Sequence, residues 1–176
     1  RIIARNQPIV KGDSSISKFC SARIGDTYYI TLTDAYAALP RGTAAAPAEA
    51  TTITLLKDSA GGGIGSDTDK YMNYVIDFKG HTYTVGAPAV GSTGTVSQGL
   101  RVMKTSTAKF MNGTLKAANY ENLNQVVHTY GDVTFQDFTV DATEDSYAWA
   151  AVEPDAGTLK ILGNSSILAH NGNYGL

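Results

Sequence analysis

A repeat of about 25 residues is the feature that most constrains how this chain can fold. Phe110–Leu115 can be laid over Phe135–Val140 one repeat later, and Ile161–Ile167 follows after a further repeat. Ile76–Tyr83 is an earlier and looser copy, and Ile53 lies slightly less than one repeat before it. Each copy contains short runs of β-branched and aromatic residues separated by polar turns. Units of this length cannot bury an apolar face alone, so we expect them to stack as a solenoid.

The repeat also predicts which side chains share the core. In a parallel solenoid each strand pairs with its equivalent one coil away, about 4.8 Å distant, so equivalent side chains stack. One predicted inward column contains Ile76, Phe110, Phe135 and Ile161, and a second contains Tyr83, Leu115, Val140 and Ile167. The sequence therefore predicts an all-β, right-handed parallel β-helix. A β-sandwich is the alternative, because it also has many short strands, although it does not require displacement-matched pairs.

The N-terminal part of the chain, residues 1–50, lacks this repeat and contains a helical pattern. In Thr31–Leu39 the apolar residues share one face, Thr31 or Thr33 can act as the N-cap, and Pro40 ends the helix. We therefore predict an N-terminal strand, a short helix and a loop over residues 1–50.

Residues 51–176 form the predicted coils, and with the N-terminal part they make one β-helix domain over residues 1–176. The glycine-rich stretch Gly86–Gly99 is predicted to be an insertion between two coils. The chain starts at Arg1 without a Met or a signal peptide, and no helix is predicted to cover the last strand near Ile167. We expect the domain to belong to a longer protein or assembly, with further coils or another subunit at this open C-terminal end.

Composition argues against several classes of function. Charged residues make up 17% of the chain, and the formal net charge is −2. The five arginines are scattered, so the concentrated basic surface that nucleic-acid binding needs is missing. No apolar run reaches the length of a membrane span. The lone Cys20 excludes a disulfide framework within the chain.

Several segments resemble a known family. Ile24–Tyr29, Thr31–Ala35 and Thr52–Asp58 are similar to the opening of pectate-lyase-like β-helix domains, which occur in large surface proteins of gut bacteria. Val75–Tyr83 resembles the following element, an Ile-Asp-x-x-Gly-x-x coil in that family. The resemblance covers about residues 22–170 and implies that the opening helix covers the N-terminal end of the solenoid. Such a cap is also needed physically, because the first coil otherwise exposes unpaired strand edges.

The densest acidic group contains Asp132, Asp137 and Asp141. β-Helix polysaccharide lyases use Ca²⁺-binding acidic residues with a basic residue, and the hydrolases use closely set carboxylates. No Arg or Lys lies between Lys116 and Lys160, so a basic partner has to come from a neighbouring coil. We interpret the group as a solvated turn, and we assign no catalytic residue and no cofactor.

The three histidines, His81, His128 and His170, fall in three different coils. No two of them have the i, i+2 or i, i+4 spacing of metal ligands, so no metal site is predicted. The Gly-x-Ser-x-Gly motif of serine hydrolases is also missing. The sequence therefore favours a protein that is not an enzyme.

Four aromatic residues form the predicted carbohydrate-binding surface: Tyr120, Tyr130, Tyr147 and Trp149. They fall in a region of turns and strand starts, where exposed rings on a rigid solenoid can stack on sugar rings. The alternative is that these rings pack under loops.

The function hypothesis from these patterns is a non-catalytic surface, stalk or adhesin-type module that contacts a glycan or a host surface. One alternative is a virion structural protein, such as a phage fibre or decoration protein. The other is a polysaccharide lyase or hydrolase. The predicted location is extracellular, on a cell surface or on a virion.

Overall fold

The computed structural model describes residues 17–176, which form a β-solenoid of about five turns with one short helix near the N-terminus. Strands account for 46% and helix for 4% of the structure. The elements are β1 (Ala22–Ile24), β2 (Thr27–Tyr29), α1 (Leu32–Ala37), β3 (Thr51–Leu55), β4 (Ser59–Gly61), β5 (Asn73–Asp77), β6 (Thr82–Val85), β7 (Val90–Ser92), β8 (Thr95–Val102), β9 (Thr107–Ala117), β10 (Gln125–Thr129), β11 (Asp132–Asp141), β12 (Ala150–Pro154), β13 (Leu159–Leu162) and β14 (Ser166–Leu168). The predicted parallel β-helix is confirmed.

Two sheets run along the solenoid. The larger has ten strands in the order β13-β11-β9-β5-β3-β1-β2, with β14, β4 and β6 joined at its side. The smaller has the order β12-β10-β8-β7. From β3 to β13 the pairs in the larger sheet are parallel, whereas the β1–β2 hairpin is antiparallel. These parallel pairs exclude the β-sandwich alternative, whose sheets are antiparallel.

The register agrees with the predicted repeat. Ile53 pairs with Ile76, Ile76 with Phe110, Phe110 with Phe135 and Phe135 with Ile161. In the second column Tyr83 pairs with Leu115, Leu115 with Val140 and Val140 with Ile167. Both columns therefore continue from coil to coil as the sequence repeat predicts.

Aromatic rings fill the centre of the solenoid. The Tyr74 and Phe110 rings meet edge to face at 6.0 Å between centroids, and Phe110 and Phe135 at 6.1 Å. Phe138 lies 5.3 Å from Phe135 and 4.8 Å from Phe78. All five side chains are fully buried, and burial of each stabilises the fold by roughly 1.5–3 kcal/mol. Edge-to-face contacts add to this, because the positive ring edge meets the negative ring face.

A backbone bend also repeats from coil to coil, inside β9, inside β11 and between β13 and β14. Three residues that follow paired positions in successive coils have a positive φ: Asn112 (57°), Asp137 (51°) and Gly163 (63°). The residues before them, Met111, Gln136 and Leu162, pair with one another across the sheet. Asn, Asp and Gly are the residues that reach this left-handed region at least cost. The chain therefore turns at the same point in three successive coils.

Helix α1 covers the N-terminal end of the solenoid. The Thr31 hydroxyl caps it by accepting the Asp34 N–H at 3.0 Å, and Leu32 is fully buried beneath it. The Tyr36 ring meets Tyr74 edge to face at 5.4 Å, which continues the aromatic row into the helix. The predicted helix is confirmed, with Thr31 rather than Thr33 as its cap.

A buried ion pair anchors this cap. The Tyr36 hydroxyl donates to Asp69 Oδ2 at 3.0 Å, and Arg41 Nη2 donates to Asp69 Oδ1 at 2.9 Å. Asp69 is 1% exposed, so these partners replace the water that its carboxylate loses on folding. Burial is also the main reason that the pKa of Tyr36 is raised far above its ordinary value.

The segment Gly86–Gly99 is predicted to be an insertion between two coils, but it forms strands that belong to the smaller sheet. It contains β7 and the first half of β8, which pair antiparallel, and β8 then continues into the smaller sheet as a partner of β10. Glycine is needed where this hairpin is tightest, because a Cβ on Gly91 would lie 2.0 Å from the Thr95 carbonyl oxygen.

The last coil of the described chain exposes apolar side chains. Ile161, Leu162 and Leu168 are 43%, 45% and 43% exposed. Ile161 occupies the same column as Phe135, but no further coil among residues 17–176 covers it. Within the same residues, no helix has the length and apolar character that crossing a bilayer requires.

The register can be tested by Phe135→Ala. The change leaves a cavity beside Phe110 and Phe138, so we expect the free energy of unfolding to fall by about 3–5 kcal/mol in urea or thermal melts. The matched control is Ile161→Ala, which removes an exposed member of the same column and should cost about 1 kcal/mol or less. A wild-type melting midpoint for Phe135→Ala would contradict the inward column.

Candidate functional site

The predicted acidic group lies along one strand. Asp132 begins β11, Asp137 sits at its corner and Asp141 ends it. Asp137 Oδ1 accepts the Asn164 N–H at 2.9 Å and its Oδ2 accepts the Gln136 side-chain amide at 2.8 Å. These two hydrogen bonds hold the pKa of Asp137 below its usual value, the Asn164 bond most strongly. Asp137 therefore ties its corner to the next coil.

Asp141 also serves a turn. Its Oδ1 accepts the Thr143 N–H at 3.0 Å and the Thr143 hydroxyl at 2.6 Å. Asp132 is exposed at the start of the strand. Asp141 thus stabilises its own turn, whereas Asp137 bonds to Gln136 beside it and to the corner of the next coil. Both carboxylates serve structural hydrogen bonds at turns, which agrees with the interpretation of this group as a solvated turn.

Asp137→Asn combined with Asp141→Asn tests that interpretation. Asn keeps one acceptor oxygen at each position for the Asn164 and Thr143 N–H groups and loses only the exposed contact with the Gln136 amide. We therefore expect the melting temperature to change by less than about 2 °C at pH 7. The lowered pKa of Asp137 gives wild-type stability that is present above the pKa of the unfolded chain and lost as pH falls through the folded pKa. The double variant should lose this part of the acid sensitivity. Sugar release by the wild type that the double variant lacks would overturn the turn interpretation.

The four predicted aromatic residues lie in different surroundings. Tyr120 is half-buried against the core, and its hydroxyl accepts the Asn122 amide at 3.1 Å. Tyr130 is half-buried with its ring 4.6 Å from that of His128. Tyr147 and Trp149 are exposed in the turn before β12. The structure therefore leaves the latter two rings open to solvent.

Trp149 lines a shallow groove of about 300 Å³ beside β12. The other lining residues are Ala150, Val152, Glu153, Pro154, Tyr174 and Leu176. The Tyr174 N–H donates to the Trp149 carbonyl at 2.9 Å, and the Ala151 N–H donates to the Tyr174 carbonyl at 2.9 Å. Sequence reasoning missed Tyr174, because it lies beyond the last recognisable repeat and only backbone pairing brings it beside Trp149.

A row of polar residues crosses the smaller sheet. Arg101 on β8, His128 on β10 and Glu153 on β12 are direct neighbours in the register. Arg101 and His128 are each only 5% exposed. Burial of such groups is costly unless each has a partner, so the contacts of this row decide what it can do.

Arg101, at one end of this row, is paired with Asp67 and Ser92. Its guanidinium donates to Asp67 Oδ1 and, at 2.9 Å, to the Ser92 hydroxyl, and it lies 5.5 Å from the centre of the Tyr130 ring. The Ser92 hydrogen bond and the Arg101 charge hold the pKa of Asp67 below its usual value. Burial raises the pKa of Tyr130, and the nearby Asp155 charge adds to this.

His128 faces two carboxylates on the other side. Its Nε2 lies 2.8 Å from Asp155 Oδ2 and 3.7 Å from Glu153 Oε2. The Gln125 amide donates to Glu153 Oε2 at 2.7 Å. The candidate metal-ligand atoms of His128, Glu153 and Asp155 all lie within 4.8 Å of one another. One imidazole nitrogen with two carboxylates is a donor set that can hold a divalent metal ion.

This cluster is not predicted from the sequence when only metal ligands separated by two or four residues are considered. Glu153 and Asp155 both follow His128 by about the length of one coil. In a solenoid, residues one repeat apart lie side by side, so the period itself is the signal that identifies such ligand sets.

Comparison of the chain with protein-family models, with curated proteins and with solved structures finds no match. The resemblance to pectate-lyase-like domains therefore stays a prediction of family, whereas the fold that it implies is confirmed.

Proposed function

We propose that this protein is a non-catalytic extracellular β-helix module that contacts a glycan through the groove beside β12. The observation that carries the proposal is the pair of exposed aromatic residues that line that groove, Trp149 at 43% and Tyr174 at 69% exposure. Glu153 lies in the same groove and offers carboxylate oxygens to sugar hydroxyls. An apolar ring with a polar neighbour is the combination that suits a sugar, which has both C–H faces and hydroxyl edges.

The backbone around the groove supports this proposal. The backbone N–H groups of Val152 and Ala151 donate to the carbonyls of Gly175 and Tyr174 at 3.1 and 2.9 Å. The Asn173 side-chain amide donates to the Ala148 carbonyl at 2.8 Å. These hydrogen bonds hold both sides of the groove before any ligand arrives. Preorganised groups lose less conformational entropy on binding, which favours affinity from a small contact area.

The non-catalytic part of the proposal is supported by the acidic residues of β11. Asp137 accepts from Asn164 of the next coil and Asp141 from Thr143 of its own turn, and neither residue lines the aromatic groove. The extracellular part is supported by composition, because the share of charged residues, 17%, is below that usual for soluble globular domains.

Trp149→Ala tests the glycan contact. A glycan array followed by calorimetry on the retained sugars should show at least about tenfold weaker binding than for the wild type, because the stacking face is removed. The matched control is Tyr147→Ala, which removes an equally exposed ring that does not line the groove. The wild type should release neither reducing nor unsaturated sugars from the same glycans.

Two results would contradict the proposal. One is a wild-type protein that retains no glycan, and the other is Trp149→Ala with unchanged affinity. Release of unsaturated or reducing sugars would instead favour the alternative of a lyase or hydrolase.

We also propose that the last coil associates with a second copy of this chain. The support is the exposed apolar group of Ile161, Leu162 and Leu168 on β13 and β14, which among the described strands pair only with β11. A strand with one open edge and apolar neighbours is a template for further β-pairing.

Ile161→Lys with Leu168→Lys tests this association. In sedimentation velocity we expect the wild type to form oligomers as its concentration rises and the double variant to remain monomeric, because buried lysines oppose the contact. Tyr147→Lys is the control, since it adds a charge at another exposed apolar position. A wild type that stays monomeric at high concentration, with strong amide protection over residues 159–168, would refute the proposal. A trimer would favour the virion alternative.

A further inference from the structure

We propose that His128, Glu153 and Asp155 form a binding site for one divalent transition-metal ion of the zinc class. The inference does not depend on the proposed glycan contact, although Glu153 borders both sites. The ligands come from two successive coils, His128 from β10, Glu153 from β12 and Asp155 from the residue after β12.

The geometry fits a single ion. Zinc binds imidazole nitrogen and carboxylate oxygen at about 2.0–2.2 Å, so two ligands of a tetrahedral ion are about 3.3 Å apart. His128 Nε2 lies 2.8 Å from Asp155 Oδ2 and 3.7 Å from Glu153 Oε2, values on either side of that separation. Small side-chain rotations therefore bring the three atoms around one ion without a change in the backbone.

The charges of the cluster also favour a cation. Glu153 and Asp155 together carry two negative charges beside His128, and the cation of the row, Arg101, is already paired with Asp67. A neutral imidazole leaves both charges uncompensated, whereas a divalent ion balances them. The side chain of His128 is 7% exposed, that of Glu153 25% and that of Asp155 46%, so the carboxylates open the site to solvent and a hydrated ion can enter.

Gln125 borders the cluster and carries an unpartnered buried oxygen. Its side-chain amide contacts Glu153 Oε2, and its Oε1 is buried without a hydrogen-bond partner. The residue is only 8% exposed, so water does not satisfy this oxygen from the surface. In the structure the NH2 group of this amide faces Glu153. A half-turn of the amide would exchange Nε2 with Oε1 and bring the oxygen to the site, an arrangement that a cation between the two oxygens would stabilise. Gln125 could then serve as a fourth ligand.

The donor set selects the class of metal. Calcium and magnesium prefer all-oxygen sites, and soft ions such as Cu(I) prefer thiolates. A nitrogen with two or three oxygens suits Zn²⁺, Co²⁺ or Ni²⁺. The site joins two adjacent coils, so an ion bound there would cross-link β10 to β12 and stabilise the solenoid against unfolding.

Zinc binding to the 176-residue chain without an affinity tag tests the proposal. Calorimetry with ZnCl₂ should show one ion per chain, and the melting temperature should rise with the zinc concentration. Glu153→Gln and Asp155→Asn should each weaken binding by about 100-fold or more. Both changes keep the side-chain shape at positions that are not fully buried, so the apo variants should fold, as circular dichroism can verify.

A matched control uses another histidine–carboxylate pair. His81 Nδ1 lies 3.3 Å from Asp58 Oδ1, and this pair belongs to coils other than those of the proposed site. His81→Gln should therefore leave zinc affinity unchanged. Cobalt adds a spectroscopic test, since Co²⁺ in the wild type should give visible absorption bands that His128→Asn removes while His81→Gln retains them.

Three outcomes would overturn the proposal. They are a wild type that binds no zinc, unchanged affinity in both carboxamide variants, or loss of binding in His81→Gln. The first would leave the cluster as a set of structural contacts between His128 and its two carboxylates.

Discussion

Parallel pairing between equivalent strands of successive coils, with apolar side chains stacked behind it, holds the rest of this structure in place. β9 and β11 pair along most of their length, from Thr107 with Asp132 to Lys116 with Asp141. The pairing satisfies the backbone of both strands and at the same time brings Phe110 onto Phe135. Each coil pairs mainly with its neighbours, so stability is close to a sum of coil-to-coil interfaces. The contact between the Phe78 and Phe138 rings is an exception, because it crosses the intervening coil at Gly113.

The apolar core is covered at one end of the described solenoid and exposed at the other. At the N-terminal end, Tyr36 continues the aromatic row, and the Asp69 pair with Arg41 ties the loop after the helix to the first coils. At the other end the column reaches Ile161, which keeps its register but is exposed. Apolar surface left open in this way favours contact with other β-structure, since burial removes it from water.

The same stacking that builds the core also assembles polar sites on the smaller sheet. Arg101, His128 and Glu153 come from three different coils, yet the register makes them neighbours. Chemistry in a solenoid of this kind arises along columns, one residue from each coil, rather than within a short motif. The wide separation of such residues in sequence explains why a search for short motifs found no site here.

Much of the fold follows from the sequence alone. The repeat determined the pairing of Phe110 with Phe135, and the pattern of Thr31–Leu39 with Pro40 determined the helix. Both are local or periodic signals, because apolar residues of successive repeats must stack and a threonine can cap a helix.

Only the tertiary structure decided the candidate sites. The sequence marked Trp149 as an aromatic candidate, but the backbone pairing of Tyr174 beside it made a groove. Tyr130 was an equal candidate in the sequence, and its stacking on His128 placed it in the polar row instead. Exposure and contact between distant residues depend on how coils lie against one another in space. His128, Glu153 and Asp155 therefore became a cluster only when the register between β10 and β12 was known.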